Sequence, residues 1–169
     1  NRTEVTVRRP RLTETDLHIL KTLSGQISIA VENLGYFERL RASEQKYRLL
    51  YENSVEGVFQ ITPTGRFLSL NPTMAGLLGY GDASEVLAAT DDGGGRLLFV
   101  VAKEFAELCR QASESGTILG VETTIENRHG RTCHVSISAR CIRNDHGEVA
   151  YFEGWAVDIT EKVRAKEMT

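Results

Sequence analysis

The sequence predicts an α+β fold: a five-stranded antiparallel sheet with short helices on one face, preceded by a long N-terminal helix. Three observations carry that reading. Segments of alternating apolar and polar residues fall into two groups, two near Val58–Leu70 and three between Leu119 and Val157, with helical periodicity between them. Turn chemistry separates them at Pro63-Thr64-Gly65, His129-Gly130 and Asp145-His146-Gly147. Ahead of all this, apolar residues recur in alternating steps of three and four, as in a coiled-coil seam.

Within Asn1–Leu12, Val5-Thr6-Val7 reads as the end of a strand or a connector. Thr13-Glu14-Thr15-Asp16 then reads as a capping box, with Thr13 as N-cap and Asp16 at N3. The helix it opens aligns Leu20, Leu23, Ile27, Ala30, Leu34 and Phe37 in one seam. Leu40 follows Phe37 by a second step of three, before Glu44, Tyr47 and Tyr51 continue the row. Such a stammer overwinds a helix locally, and here we expect it to mark a join between two modules. Gly25 and Gly35 each weaken the helix by about 1 kcal/mol relative to Ala, so packing must hold it. A parallel dimer or the helix's own domain would each supply that packing.

The sheet begins with Val58-Phe59-Gln60-Ile61-Thr62 and returns through Phe67–Leu70. Asn71 suits an N-cap, Pro72 the first helical position, and Gly79 the left-handed residue that ends the helix carrying Met74, Leu77 and Leu78. Asp82-Ala83-Ser84-Glu85 reads as a second capping box, opening a short helix through Ala89, with Thr90–Gly95 a flexible loop. Lys103–Ser115 is helical, with Phe105, Leu108, Cys109 and Ala112 on one face and Gly116 ending it. Strands Leu119–Arg128, Arg131–Arg143 and Val149–Val157 complete the sheet. Asp158 and Glu161 read as a capping box for an exiting helix.

The stretch Gly57–Tyr80 (strand, turn with Gly, strand, Asn-Pro, short helix, Gly-Tyr) resembles the opening of a PAS domain. Gly147-Glu148-Val149, Gly154 and Asp158-Ile159-Thr160 are similar to the family's closing pattern. The resemblance covers residues 47–160. It implies the PAS fold, a concave sheet face where relatives keep ligands, and an exit helix over residues 161–169 leading to a histidine kinase, diguanylate cyclase or nucleotide cyclase. Phe99-Val100-Val101-Ala102-Lys103 stands where the family usually carries an acidic signature, a departure in the pocket wall. Upstream, Leu12–Leu17 through Ala30–Asn33 resembles the last helix of a GAF domain, so residues 1–46 are expected to be its end piece and a linker.

Strand parity divides the sheet, because alternate side chains point to opposite faces. One parity holds Val121, Thr123, Ile125, Val135, Ile137, Ala139, Phe152, Gly154 and Ala156; we expect these beneath the helices. The other holds Glu122, Thr124, Glu126, His134, Ser136, Ser138, Arg140, Tyr151, Glu153, Trp155 and Val157, the outer face. A Trp beside Val157 and Tyr151 calls for a cover, from the flanking helix or a second protomer. The expected pocket would comprise Phe59, Ile61, Met74, Leu77, Leu78, Phe105 and Leu108 from the first half, with Val121, Thr123, Ile125, Ile137, Phe152 and Ala156 from the sheet. The same residues serve equally as a plain core. An empty cavity of ~300 Å³ would cost roughly 7 kcal/mol, comparable with a domain's whole stability, so the interior is filled by side chains or occupied.

Bulk properties exclude several classes. With 169 residues, 41% hydrophobic, the chain can bury one good core, and a net charge of −3 with scattered basic residues gives no nucleic-acid footprint. No apolar run spans a bilayer, no signal peptide is visible, and the unpatterned Cys109, Cys133 and Cys141 suit a reduced cytoplasmic setting. A start at Asn1 leads us to expect a piece of a longer protein. Flavin-binding relatives carry an Asn-Cys-Arg-Phe-Leu-Gln run that is absent, Ala156 stands at their amide position, and Cys109 lies on the wrong helix for an adduct. No His lies on Lys103–Ser115 to ligate haem, His129 and His146 fall in turns, and His134 points outward; solvated roles are expected for all three. Metal clusters and hydrolase, phosphate-loop or cyclase motifs are lacking, Gly93-Gly94-Gly95 included, so the chain is expected to be non-catalytic.

Two expectations of function follow. The first is a homodimeric relay module working through Leu20, Leu23, Ile27, Leu34, Phe37 and Leu40, the outer-face Tyr151, Trp155 and Val157, and Asp158 and Thr160 at the exit, with no tightly bound cofactor. The second is a sensor holding an unknown apolar or amphipathic small molecule on the concave face. An enzyme or an unrelated binding module is the remaining alternative.

Overall fold

The computed structural model describes residues 10–91 and 102–169, and the side chains of all of these except Ala102 and Lys103. The chain divides into two units, Asn1–Tyr47 and Arg48–Thr169. Helix α1 covers Glu14–Glu52, 39 residues of which none is buried. Its start is capped as the sequence predicts. Asp16 N–H donates to the Thr13 hydroxyl oxygen (3.2 Å), while Thr13 N–H (2.8 Å) and hydroxyl (2.7 Å) both donate to the Asp16 carboxylate. Those bonds, the side-chain one foremost, hold the Asp16 carboxyl below the usual carboxylate range.

In the second unit, β1 (Gly57–Ile61), β2 (Phe67–Leu70), β3 (Thr117–Glu126), β4 (Thr132–Arg143) and β5 (Val149–Asp158) form one sheet in the order β2-β1-β5-β4-β3. All neighbours are antiparallel. Helices α2 (Pro72–Leu77), α3 (Ala83–Asp91) and α4 (Ala102–Ser115) follow in the stretch between β2 and β3, and α5 (Thr160–Glu167) leaves the end of β5. Phe59, Ile61, Ile125, Val135, Ile137, Ala139, Phe152 and Ala156 are buried with Met74, Ala75, Leu78, Val86, Leu108 and Ala112 of the helices. Parity thus places Ile125, Val135, Ile137, Ala139, Phe152 and Ala156 correctly, while Val121, Thr123 and Gly154 are only partly buried and Ser138, expected on the outer face, is buried at 7%.

The three hairpins share one construction. Residues Thr62, Asn127 and Asn144 each accept, on the side-chain oxygen, the N–H four residues on, at 3.0, 3.0 and 2.9 Å. Each also accepts on its carbonyl the N–H of a glycine three residues on, Gly65, Gly130 or Gly147. Those glycines have φ of 89°, 76° and 79°, the left-handed region that follows a type I turn in a short hairpin.

Four expectations are corrected. Strand β3 begins at Thr117 rather than Leu119, and a bulge between Ile118 and Val121 reverses its parity. Buried Ile118 therefore joins the core while Leu119 is exposed. Helix α3 extends past Ala89 to Asp91, and Thr90 lies in it rather than in a loop. Thr90 is buried because its hydroxyl is satisfied, donating to the Val86 carbonyl (3.1 Å) and accepting from Phe67 N–H (3.3 Å). The remainder of the expected loop, Asp92–Gly95, and the departure at Phe99–Val101 lie outside the described residues. At Asp82 only half a capping box forms: its carboxylate accepts Glu85 N–H at 3.0 Å, while the Glu85 carboxylate turns to Arg128 at 3.1 Å. No capping box opens α5, whose N-cap is Ile159 with no side-chain bond; Asp158 instead accepts Thr160 N–H at 2.9 Å.

Candidate functional site

The concave face is nearly filled. A cavity of about 30 Å³, lined only by apolar groups and Cys109, remains between the sheet and α4. Of the residues expected to form a pocket, Phe59, Ile61, Phe105, Leu108, Ile137 and Phe152 line it. Met74, Leu78, Ile125 and Ala156 are packed core, with Leu77 and Val121 partly buried against it. Thr123 does not face the cavity; its hydroxyl donates to Glu104 at 2.9 Å in an exposed position. The lining also includes Cys109, Ala112, Ile118 and Ala139. Ile118 escapes sequence reasoning because the bulge reverses parity; the signal that would have found it is Gly120, whose φ of 60° marks the irregularity.

Magnitudes decide what so small a space means. At ~24 cal/mol per Å³, 30 Å³ costs about 0.7 kcal/mol, which a domain tolerates empty. Small-molecule sites run to about 300–1,000 Å³. Burial pushes the Cys109 thiol up to about 11, with Cys141 adding a smaller push, so Cys109 is a protonated, weakly nucleophilic group.

A buried polar arrangement is centred on Asn71, which has 0% exposure. Its side-chain oxygen accepts Val58 N–H (2.9 Å) and Met74 N–H (3.0 Å). Its amide donates to the carbonyls of Tyr51 (3.0 Å) and Glu56 (2.9 Å). One side chain thereby joins the last turn of α1, the following loop, β1 and α2. Tyr51 adds a hydroxyl bond to Ser69 of β2 (2.8 Å), and Thr73 donates to the Ser54 carbonyl (2.6 Å). The sequence indicates Asn71 only as a helix cap. Bonds reaching 13 to 20 residues away depend on tertiary approach and leave no local signal.

At the other terminus, Ile159 N–H donates to the His134 carbonyl (2.8 Å) and His134 N–H to the Thr160 hydroxyl oxygen (3.0 Å). These bonds hold the start of α5 against β4, while α5 itself buries no residue. The β3–β4 loop docks on the connection after α2. Arg128 N–H donates to the Leu78 carbonyl (3.0 Å), and its guanidinium lies 4.7 Å from the Tyr80 ring centre. His129, expected to be merely solvated, places Nε2 3.1 Å from the Gly79 carbonyl.

On the outer face Trp155 is 41% exposed, next to Val58 in the register, with Tyr151 and Val157 half-buried. Glu153 accepts from Gln60 (3.2 Å) and pairs with Arg140 beside it. On α1, Leu20, Leu23, Ile27, Leu34, Phe37 and Leu40 are all exposed, from 49% at Leu23 to 72% at Phe37. Among the described residues no cluster of three or more His, Cys, Asp or Glu is arranged to hold a metal ion. No described helix is long and apolar enough to cross a membrane.

Comparison with known proteins agrees with this geometry. The PAS domain family matches residues 55–161. An RNA-binding light-oxygen-voltage receptor superposes with a TM-score of 0.54 at 20% identity, over 71% of this chain and 34% of its own, so the match spans about a third of that receptor. The PAS domain of an HTR-like protein from Haloarcula marismortui gives 0.52 at 22% identity, over 73% of this chain and 98% of its own. A sensory box histidine kinase/response regulator from Burkholderia thailandensis gives 0.51 at 19% identity, over 73% and 91%. At these identities the structures speak for the fold alone. The family match covers more than half of the chain, which therefore belongs to the PAS domain family.

Proposed function

We propose that this chain is a sensory signal-relay module, working as a homodimer through α1 and passing conformational change to α5 without a tightly bound cofactor. The observation that carries the reading is α1: 39 residues, none buried, with the seam residues Leu20 to Leu40 open along it. Helices in proteins owe most of their stability to packing of an apolar face, and two glycines weaken this one further. A second copy in parallel register supplies that packing. The Asn71 bonds then link any rotation of the last turn of α1 directly to β1 and α2. The stammer at Phe37–Leu40 is the element where two windings lie close in free energy. The GAF-like end piece upstream and a kinase or cyclase output downstream complete the proposed parent protein, in line with the histidine kinase origin of one structural relative.

The second reading is a sensor of a small apolar molecule, favoured by the wholly apolar lining of the concave-face cavity apart from Cys109. Native mass spectrometry beside a denatured control separates the two. The relay reading expects a clean dimer mass. A dimer carrying extra small-molecule mass would replace it with the sensor, and a clean monomer would remove the α1 seam from the account.

A further inference from the structure

A polar groove of about 440 Å³ opens where α5 leaves the sheet, between α2, the β3–β4 hairpin and α5. Its size falls within the range of small-molecule sites, about 300–1,000 Å³. Four charged side chains line it: Arg131 and Arg164, and Asp158 and Glu161. Elsewhere in the unit Arg66, Arg110, Arg128 and Arg140 are ion-paired, and Arg143 donates to backbone carbonyls. Arg131 and Arg164 have no side-chain partner among the described residues, and neither they nor the two groove carboxylates form an ion pair. Charges of both signs therefore line one groove with no ion pair formed between them, the Asp158 carboxylate accepting Thr160 N–H with one oxygen. Its apolar part is Val55, Leu77 and Cys133, and Val55 is 91% exposed.

We propose that this groove binds a small zwitterion, an α-amino acid with an apolar side chain. A plain anion would meet Asp158 and Glu161, and a plain cation would meet two guanidinium groups. A molecule bearing both charges satisfies each: its carboxylate takes the planar donor fork of arginine, its ammonium takes the carboxylates, and its side chain covers Val55 and Leu77. The site is distinct from the concave-face cavity, with which it shares no lining residue. Glu161 and Arg164 belong to α5 and Gly76 and Leu77 to α2, so the ligand would tie the exit helix to the body of the domain. Ligand binding to that docked arrangement alone would raise its population by mass action. The effect on α5 rests on the relay reading; the binding itself does not.

The test is an NMR titration of the isotope-labelled chain with L-leucine and with L-phenylalanine. Arg131→Gln and Arg164→Gln, both at exposed positions, are titrated alongside, with retained spectral dispersion as the check on folding. The expected result is saturable movement of the Gly76, Cys133 and Glu161 amides while those of Leu108 and Ile137 stay still. Each variant weakens binding by roughly tenfold or more, and N-acetyl-L-leucine and L-leucinamide, each keeping one charge, weaken it similarly. No saturable shift with either amino acid, shifts centred on the core amides, unchanged binding by the variants, or equal binding of N-acetyl-L-leucine would each overturn the proposal. A monomeric chain in sedimentation would sink the relay and leave this result standing.

Discussion

Helices α4 and α1 use their apolar residues in opposite ways. In α4, Leu108 and Ala112 are 9% and 1% exposed, and Phe105 and Cys109 pack beside them against the sheet. In α1, Leu23 and Ile27 keep 49% and 62% of their surface in water, and the helix buries nothing. The apolar face of α4 is matched to a sheet within its own unit; the seam residues of α1 have no cover among the described residues. Burial of a Leu or Ile side chain is worth about 1.5–3 kcal/mol, so six open seam residues represent enough to drive association. On the dimeric relay proposed above, stability resides in the sheet unit and association in α1, and mutations should separate the two.

The largest effect is expected at the core. Leu78→Ala, at a residue 1% exposed, should destabilise the sheet unit by about 3–5 kcal/mol in denaturant unfolding. Leu34→Ala on α1 should leave that transition within about 0.5 kcal/mol and weaken self-association instead. Equal effects in both would erase the distinction. Asn71→Ala comes next, at about 2–4 kcal/mol, because it strands two buried N–H groups and two carbonyls at once. Hydrogen exchange should then show loss of protection spreading to the end of α1 as well as α2; an effect confined to α2 would reduce Asn71 to a helix cap.

Smaller effects sharpen the contrast. Thr13→Ala should cost about 1 kcal/mol of α1 stability, visible as faster amide exchange over the first turn. Asp16 contributes to that cap with a depressed carboxyl, so its contribution is present above the unfolded carboxylate pKa and fades as pH falls through the lower folded value. The protection factor of the first-turn amides, their exchange rate measured against the intrinsic rate at the same pH, should accordingly fall in acid, and a pH-independent protection factor would deny the bond its role. The raised Cys109 thiol has the opposite sign: its contribution is complete below about 9 and is lost as pH rises toward about 11. Alkylation of Cys109 at pH 8, followed by peptide mass analysis, should run far slower than for an unperturbed cysteine peptide.

Much of this was legible in the sequence, for local reasons. Parity placed Ile125, Ile137, Phe152 and Ala156 inward because the period of a strand admits no drift. Thr13 and Asn71 acted at helix ends as their side chains dictate, and Gly79 through its left-handed backbone, with Gly79 and Tyr80 donating to the Gly76 and Ala75 carbonyls. Misreadings came where one residue changes the count or where the bond is distant. The bulge at Gly120 hid Ile118, and a hydroxyl partner on β2 drew Thr90 into a helix. Asp158 accepts Thr160 N–H rather than capping with Glu161, and the Thr160 hydroxyl oxygen accepts His134 N–H from the neighbouring strand, a bond between residues 26 apart. The Asn-x-His-Gly repeat at residues 127–130 and 144–147 was a readable signal for twin hairpins.

Sedimentation velocity of the intact chain beside the Leu23→Glu, Ile27→Glu double variant tests the central claim most directly. The account predicts a dimer for the chain and a monomer for the variant, with the cooperative unfolding of the sheet unit unchanged. A monomeric parent chain at high micromolar concentration, or a variant that remains dimeric, would contradict it.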